Sequence, residues 1–113
     1  MKRMKIVVRL QIEGTHCWNS CNITEVGYLA NVHRHRFGIV AKMEVHHDDR
    51  DVEFIKLGHQ IEQYLTSKYA NRYGVCDFGS KSCEMLAIEL LDNFGLTSCE
   101  VNEDGEHGAE VER

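Results

Sequence analysis

The sequence predicts an α+β domain in the order strand, strand, helix, helix, strand, strand: a four-stranded antiparallel sheet with two helices on one face. Three observations carry this. Apolar and polar residues alternate with period two near both ends of the chain, as half-buried strands require. Two central stretches repeat their apolar residues every 3.6 positions, the stripe of an amphipathic helix. Cap and turn residues separate these segments. Two apolar stripes laid against one face of a sheet give a two-layer α+β architecture.

The first strand is Lys5 to Glu13, with Ile6, Val8, Leu10 and Ile12 on one face and Lys5, Arg9 and Gln11 on the other. Gly14 to Ala30 reads as a long irregular loop holding Cys17, Trp18 and Cys21, and long loops in compact domains are often functional. The second strand runs from about Val32 to Val45, with Phe37, Ile39, Ala41, Met43 and Val45 on one face. The turn 46–50 follows, with Asp51 as the expected cap of the first helix. The stripe Phe54, Ile55, Gly58, Ile61, Tyr64, Leu65, Lys68 predicts about four helical turns. Residues 70–79 form a connector. Ser80 is the expected cap of the second helix, whose stripe is Cys83, Leu86, Ala87, Leu90, Leu91 and Phe94, and Gly95 stands where a helix ends. Thr97 to Glu103 alternates again. A turn at Asp104-Gly105 then precedes a last strand, His107 to Glu112.

The chain has 113 residues, which suits one domain spanning 1–113. Its net charge is −5 and its basic residues form no long run, so charge gives no argument for nucleic acid or an anionic membrane. No apolar stretch approaches the roughly 20 residues of a membrane span. The start, Met1 to Ile12, is basic and then apolar, but Arg9 and Gln11 interrupt it; it reads as a strand and not as a signal peptide. Five cysteines without regular spacing suit a reduced, cytoplasmic chain better than a disulfide framework.

The histidines are the most specific local signal. His33 and His35 lie two apart at the start of a strand, so both point to one side. His16 continues the parity of Ile12 and Gly14. If the first two strands pair as a hairpin, His16 closes on the other two. Three histidines with an open fourth position form a catalytic zinc arrangement, in which Zn2+ polarises a carbonyl or lowers the pKa of a hydroxyl. His46, His47, His59 and His107 read as surface or turn residues.

The motif order resembles the 6-pyruvoyltetrahydropterin and 6-carboxytetrahydropterin synthases. The matching features run in sequence: His16 after the first strand; His33-Arg34-His35 opening the second; Val52-Glu53-Phe54 with Leu57 entering the first helix; Ser82-Cys83-Glu84-Met85-Leu86-Ala87 at the second helix; and Glu100-Val101-Asn102-Glu103-Asp104 near the third strand. The resemblance spans residues 4 to 112 and implies the tunnelling fold, with sheets that close into a barrel by oligomerising. It implies zinc on His16, His33 and His35. It implies a pterin or purine-like substrate, whose ring N–H and amine a carboxylate holds in a bidentate pair: Glu103 falls on that position, and Glu84 supports the pocket wall. A homo-oligomer, trimer to hexamer, follows from the family and from the exposed edges that a four-stranded sheet leaves.

The chain also departs from the family pattern. The family has a proton-transfer cysteine four residues before its H-x-H motif; Leu29 stands there. The family has an Asp-His pair in the connector; residues 65–79 contain Asp77 and no histidine. Cys21 or Cys17 is the substitute expected from the loop, and Cys76 with Asp77 is another. Cys83 and Cys99 fall on apolar faces and read as core. Three readings follow: a zinc-dependent lyase acting on a dihydroneopterin-triphosphate-like pterin, in pterin or queuosine-type deazaguanine metabolism; a binding protein that keeps zinc and the heterocycle anchor without the reaction; or a structural zinc protein valued for its assembly.

Overall fold

A computed structural model describes residues 2–113. Its elements are strand β1 (Met4–His16), a short 3-10 helix (Thr24–Ala30), strand β2 (His33–Val45), helix α1 (Phe54–Tyr69), strand β3 (Cys76–Asp77), helix α2 (Cys83–Phe94), strand β4 (Ser98–Glu103) and strand β5 (His107–Glu112). The architecture is mixed α+β.

Among the described residues the sheet has five strands, in the order β3-β1-β2-β4-β5, and not the expected four. The extra strand is only two residues long. It pairs parallel to the end of β1, Gly14 with Cys76 and Thr15 with Asp77, so the sheet is mixed and not purely antiparallel. The expected order also gains the 3-10 helix, which lies inside the expected loop.

β1 runs three residues beyond its expected end. Its antiparallel register with β2 continues unbroken from Met4↔Val45 through Ile12↔Phe37 and Gly14↔His35 to His16↔His33. The face holding Val8, Ile12, Phe37, Ile39 and Ala41 packs against Leu57, Ile61 and Leu65 of α1 and Leu86, Ala87 and Leu90 of α2. α1 covers β1 and β3, and α2 covers β4 and β5. One apolar face thus turns, at its far end, into a histidine face.

Both helix caps fall two residues after the expected ones. Glu53 caps α1 by accepting from Lys56 N–H at 3.1 Å, while Asp51 accepts from His46 N–H at 2.8 Å and ties the preceding turn. Ser82 caps α2 through Met85 N–H at 3.1 Å, leaving Ser80 in the loop. Gly95 ends α2 as expected. The β4–β5 turn places Asp104 and Gly105 both at positive φ, 60° and 75°, the mirror-image turn that matches strand twist and favours Asp-Gly. No helix among the described residues is long and apolar enough to cross a membrane.

Candidate metal centre

The register that carries the core also builds the centre. His16, His33 and His35 sit on the apolar face at the end of the β1–β2 hairpin, directly beyond Phe37. Gly14 makes the floor: a Cβ there would come 2.5 Å from the Phe78 ring and 2.8 Å from the Phe37 ring. The absent side chain lets both rings close beneath the imidazoles. Phe37 meets His16 and His35 edge-to-face, with ring centroids 5.0 and 5.7 Å away.

Each imidazole is oriented from behind through Nδ1. His16 Nδ1 donates to the Lys81 carbonyl at 2.9 Å and His33 Nδ1 to the Asn31 carbonyl at 2.8 Å. His35 Nδ1 donates to the Asp104 carboxylate at 2.8 Å. That pattern leaves a lone pair on each Nε2, as metal-binding histidines require. Among the described residues, these three Nε2 atoms are the buried side-chain nitrogens or oxygens without a hydrogen bond.

Glu103, at the end of β4 and opposite Phe37 in register, brings in a carboxylate. Its Oε2 lies 2.9 Å from His16 Nε2 and its Oε1 3.5 Å from His35 Nε2. In the neutral imidazole with its proton on Nδ1, Nε2 has none to give, so the contact sets lone pair against carboxylate. A cation among the four groups removes that conflict. His16, His33, His35 and Glu103 bring four ligand atoms within 4.8 Å of one another and form a group that can hold a metal ion. The donor set, three imidazoles and a carboxylate, suits zinc chemically.

A cavity of about 420 Å3 opens beside the cluster. His16, His33 and Glu103 form one wall; Trp18, Leu29 and Met85 supply apolar surface; Lys81 and Glu84 supply charge. The loop after β1 is pinned over it by Cys17 N–H to the Gly79 carbonyl (2.8 Å) and Trp18 N–H to the Leu29 carbonyl (2.7 Å). A more open hollow of about 540 Å3 lies by Gln11, Glu13, Arg34 and Arg36. There both arginines are taken up by Glu13, Arg34 at 3.0 Å and Arg36 at 3.4 Å. The hydrogen bond from Arg34 leads the effects that hold the Glu13 carboxyl below its usual range.

The other expected site residues separate into two groups. Glu84 and Glu103 both line the cavity, as does Cys17. Cys21 and Asp77 do not. Cys21 Sγ turns to the Val26 carbonyl at 3.5 Å. Asp77 accepts from Gly79 N–H at 3.0 Å and shapes the turn before α2. Cys76 is buried in the core, where desolvation pushes its thiol up. Cys83 and Cys99 are core residues, both pushed up to about 12 by burial first.

Sequence reasoning had no sign of Asp104, Lys81 or Asn31 as orienters, or of Glu103 turning to the histidines. Only Asn31 lies near its histidine in sequence; Lys81 and Asp104 act from 65 and 69 residues away.

No protein-family model and no curated protein matches the chain. A crystal structure of an uncharacterised protein from Wolinella succinogenes is similar in fold, with a TM-score of 0.63 at 12% identity, over 100% of this chain and 99% of that one. That likeness concerns the fold alone.

Proposed function

We propose that this chain is a divergent tunnelling-fold protein of the 6-carboxytetrahydropterin synthase kind: a zinc-dependent carbon–carbon lyase acting on a pterin in the cavity beside His16, His33 and His35. One observation carries the reading. Three oriented imidazoles leave their Nε2 lone pairs without partners, and two of them, His16 and His33, line a cavity that also holds two carboxylates. Zinc held there supplies a Lewis acid for a carbonyl or hydroxyl of the substrate. Trp18, Leu29 and Met85 offer apolar surface to a flat ring, and Glu84 and Glu103 offer acceptors to its N–H edge. The exposed outer edge of β5 gives a route to the ring-like oligomer expected of this fold.

A second reading, a binding protein that holds the heterocycle without turning it over, is favoured by a specific observation. Leu29 lines the cavity, while Cys21 and Asp77 stand outside it; of the expected substitutes Cys17 alone lines it. The experiment separates the two. Zinc-loaded protein is incubated with dihydroneopterin triphosphate and the products are followed by mass spectrometry. Release of acetaldehyde, abolished in His33→Ala, supports the lyase. Unchanged substrate that nevertheless binds, by calorimetry, establishes the binding protein; neither turnover nor binding refutes both.

A further inference from the structure

We infer that Glu103 is an exchangeable fourth ligand, closing the metal centre in the resting protein and leaving it when a donor enters from the cavity. The inference rests on the reading of the three histidines as a metal centre; it does not depend on which heterocycle the protein binds.

Distance is the first argument. A zinc tetrahedron with bonds of about 2.0 Å has edges of about 3.3 Å. The Glu103 oxygens stand 2.9 Å from His16 Nε2 and 3.5 Å from His35 Nε2. The two distances, made by different oxygens, lie on either side of that edge length, and the four ligand atoms lie within 4.8 Å of one another, so the carboxylate is within reach of the fourth corner.

Position is the second. The histidine ligands are fixed from behind, each by an Nδ1 hydrogen bond. Glu103 has no comparable anchor: the hydrogen bond its carboxylate accepts is from the weak donor Cys83 Sγ at 4.0 Å. Its side chain is 28% exposed, against 9% for His16, and it lines the cavity. The one ligand without a fixed orientation therefore lines the cavity, beside His16 and His33. A flexible carboxylate there can swing out while the three imidazoles stay in place, and it then remains in the cavity as an acceptor for the incoming molecule.

The test uses cobalt(II) in the full chain, with azide as the probe donor. Wild type should give an intense four-coordinate visible spectrum that azide shifts only at concentrations at least about tenfold above those that shift the variants, because azide must first displace Glu103. A wild-type spectrum that no azide concentration shifts overturns the exchange. Glu103→Ala should open a corner: azide then shifts the bands, and metal affinity falls by on the order of 10-fold or more, the loss that removal of even an outer partner produces. Glu103→Gln, which preserves shape, should give the same azide response and carries the test if the alanine variant does not fold. A wild-type spectrum that responds to azide as the variants do, with equal metal affinity, overturns the inference. Failure of wild type to bind cobalt at one ion per chain overturns the metal centre itself, a separate result.

Discussion

Two clusters of charged and aromatic residues, one joining the helices and one at the strand ends, solve opposite problems. Around Glu89 on α2, Tyr69 donates at 2.6 Å, Tyr64 at 2.7 Å and Lys68 at 2.9 Å, with Lys81 Nζ at 3.4 Å. That carboxylate is nearly buried yet fully partnered from within the chain. Around Glu103 the protein supplies imidazole lone pairs and, as donor, only the weak Cys83 thiol at 4.0 Å. A satisfied buried network holds a structure together, whereas a half-satisfied one is costly. The difference marks the first as a clamp between helices and the second as a place completed by something added.

The largest effect should therefore come from adding the cation. Zinc at a thousandfold excess over its Kd stabilises the fold by about 4 kcal/mol if the unfolded chain does not bind it. Thermal melts with zinc and with a chelator should show that gap, and His33→Ala should abolish it. The contrast between the clusters breaks if zinc leaves the melting temperature unmoved.

Next in size is loss of the clamp. Glu89→Ala strands two tyrosine hydroxyls and an ammonium, and should cost about 2–4 kcal/mol in urea unfolding. It should do so equally with and without zinc. A zinc-dependent cost would show that the clusters are one unit.

Acid should expose the clamp in a smaller way. Burial raises the Glu89 carboxyl, but the hydrogen bonds from Tyr69, Lys68 and Tyr64 outweigh it, and the group falls from 4.5 to about 2. A depressed folded-state pKa means the stabilisation is complete above about pH 5 and is lost as pH falls toward 2. Metal-free protein should lose on the order of 2 kcal/mol from this group across that window. In Glu89→Gln that contribution should be missing, as urea midpoints measured stepwise from pH 5.5 downward will show.

The two clusters were not equally legible in the sequence. The histidines were, because strand parity is local: Ile12, Gly14 and His16 share a face, and so do His33, His35 and Phe37. The α2 stripe and Gly95 were legible for the same reason; of the α1 stripe Ile61 and Leu65 are buried, whereas Phe54 and Ile55 are exposed and Leu57 takes their place in the core. Glu89 gave no such sign. It reads as one more acid on a helix, and its partners come from 20 to 25 residues away. β3 is two residues held by pairing with β1, with no periodicity to display. The caps were misplaced because several side chains near each helix start can serve; Asp51 and Glu53 both accept a backbone N–H, but only Glu53 does so from the helix. Glu103 was placed in the site by resemblance, while its turn toward His16 depends on the β2–β4 register, a tertiary fact.

Lys81 belongs to both clusters, and this makes it the finest test of their independence. Its carbonyl orients His16, while its ammonium reaches Glu89 at 3.4 Å. The ammonium is 39% exposed, so the ion pair is worth at most about 1 kcal/mol. Lys81→Met removes the charge and keeps the carbonyl. If the clusters act separately, the variant loses no more than that in urea unfolding, and its zinc affinity stays within about threefold of wild type, a change of about 0.7 kcal/mol. A tenfold loss of zinc affinity, with the fold intact by circular dichroism, would instead mean that the clamp sets the position of the His16 acceptor. The helix pair would then be part of the metal centre's supporting shell, and Glu89→Gln should reproduce the same loss.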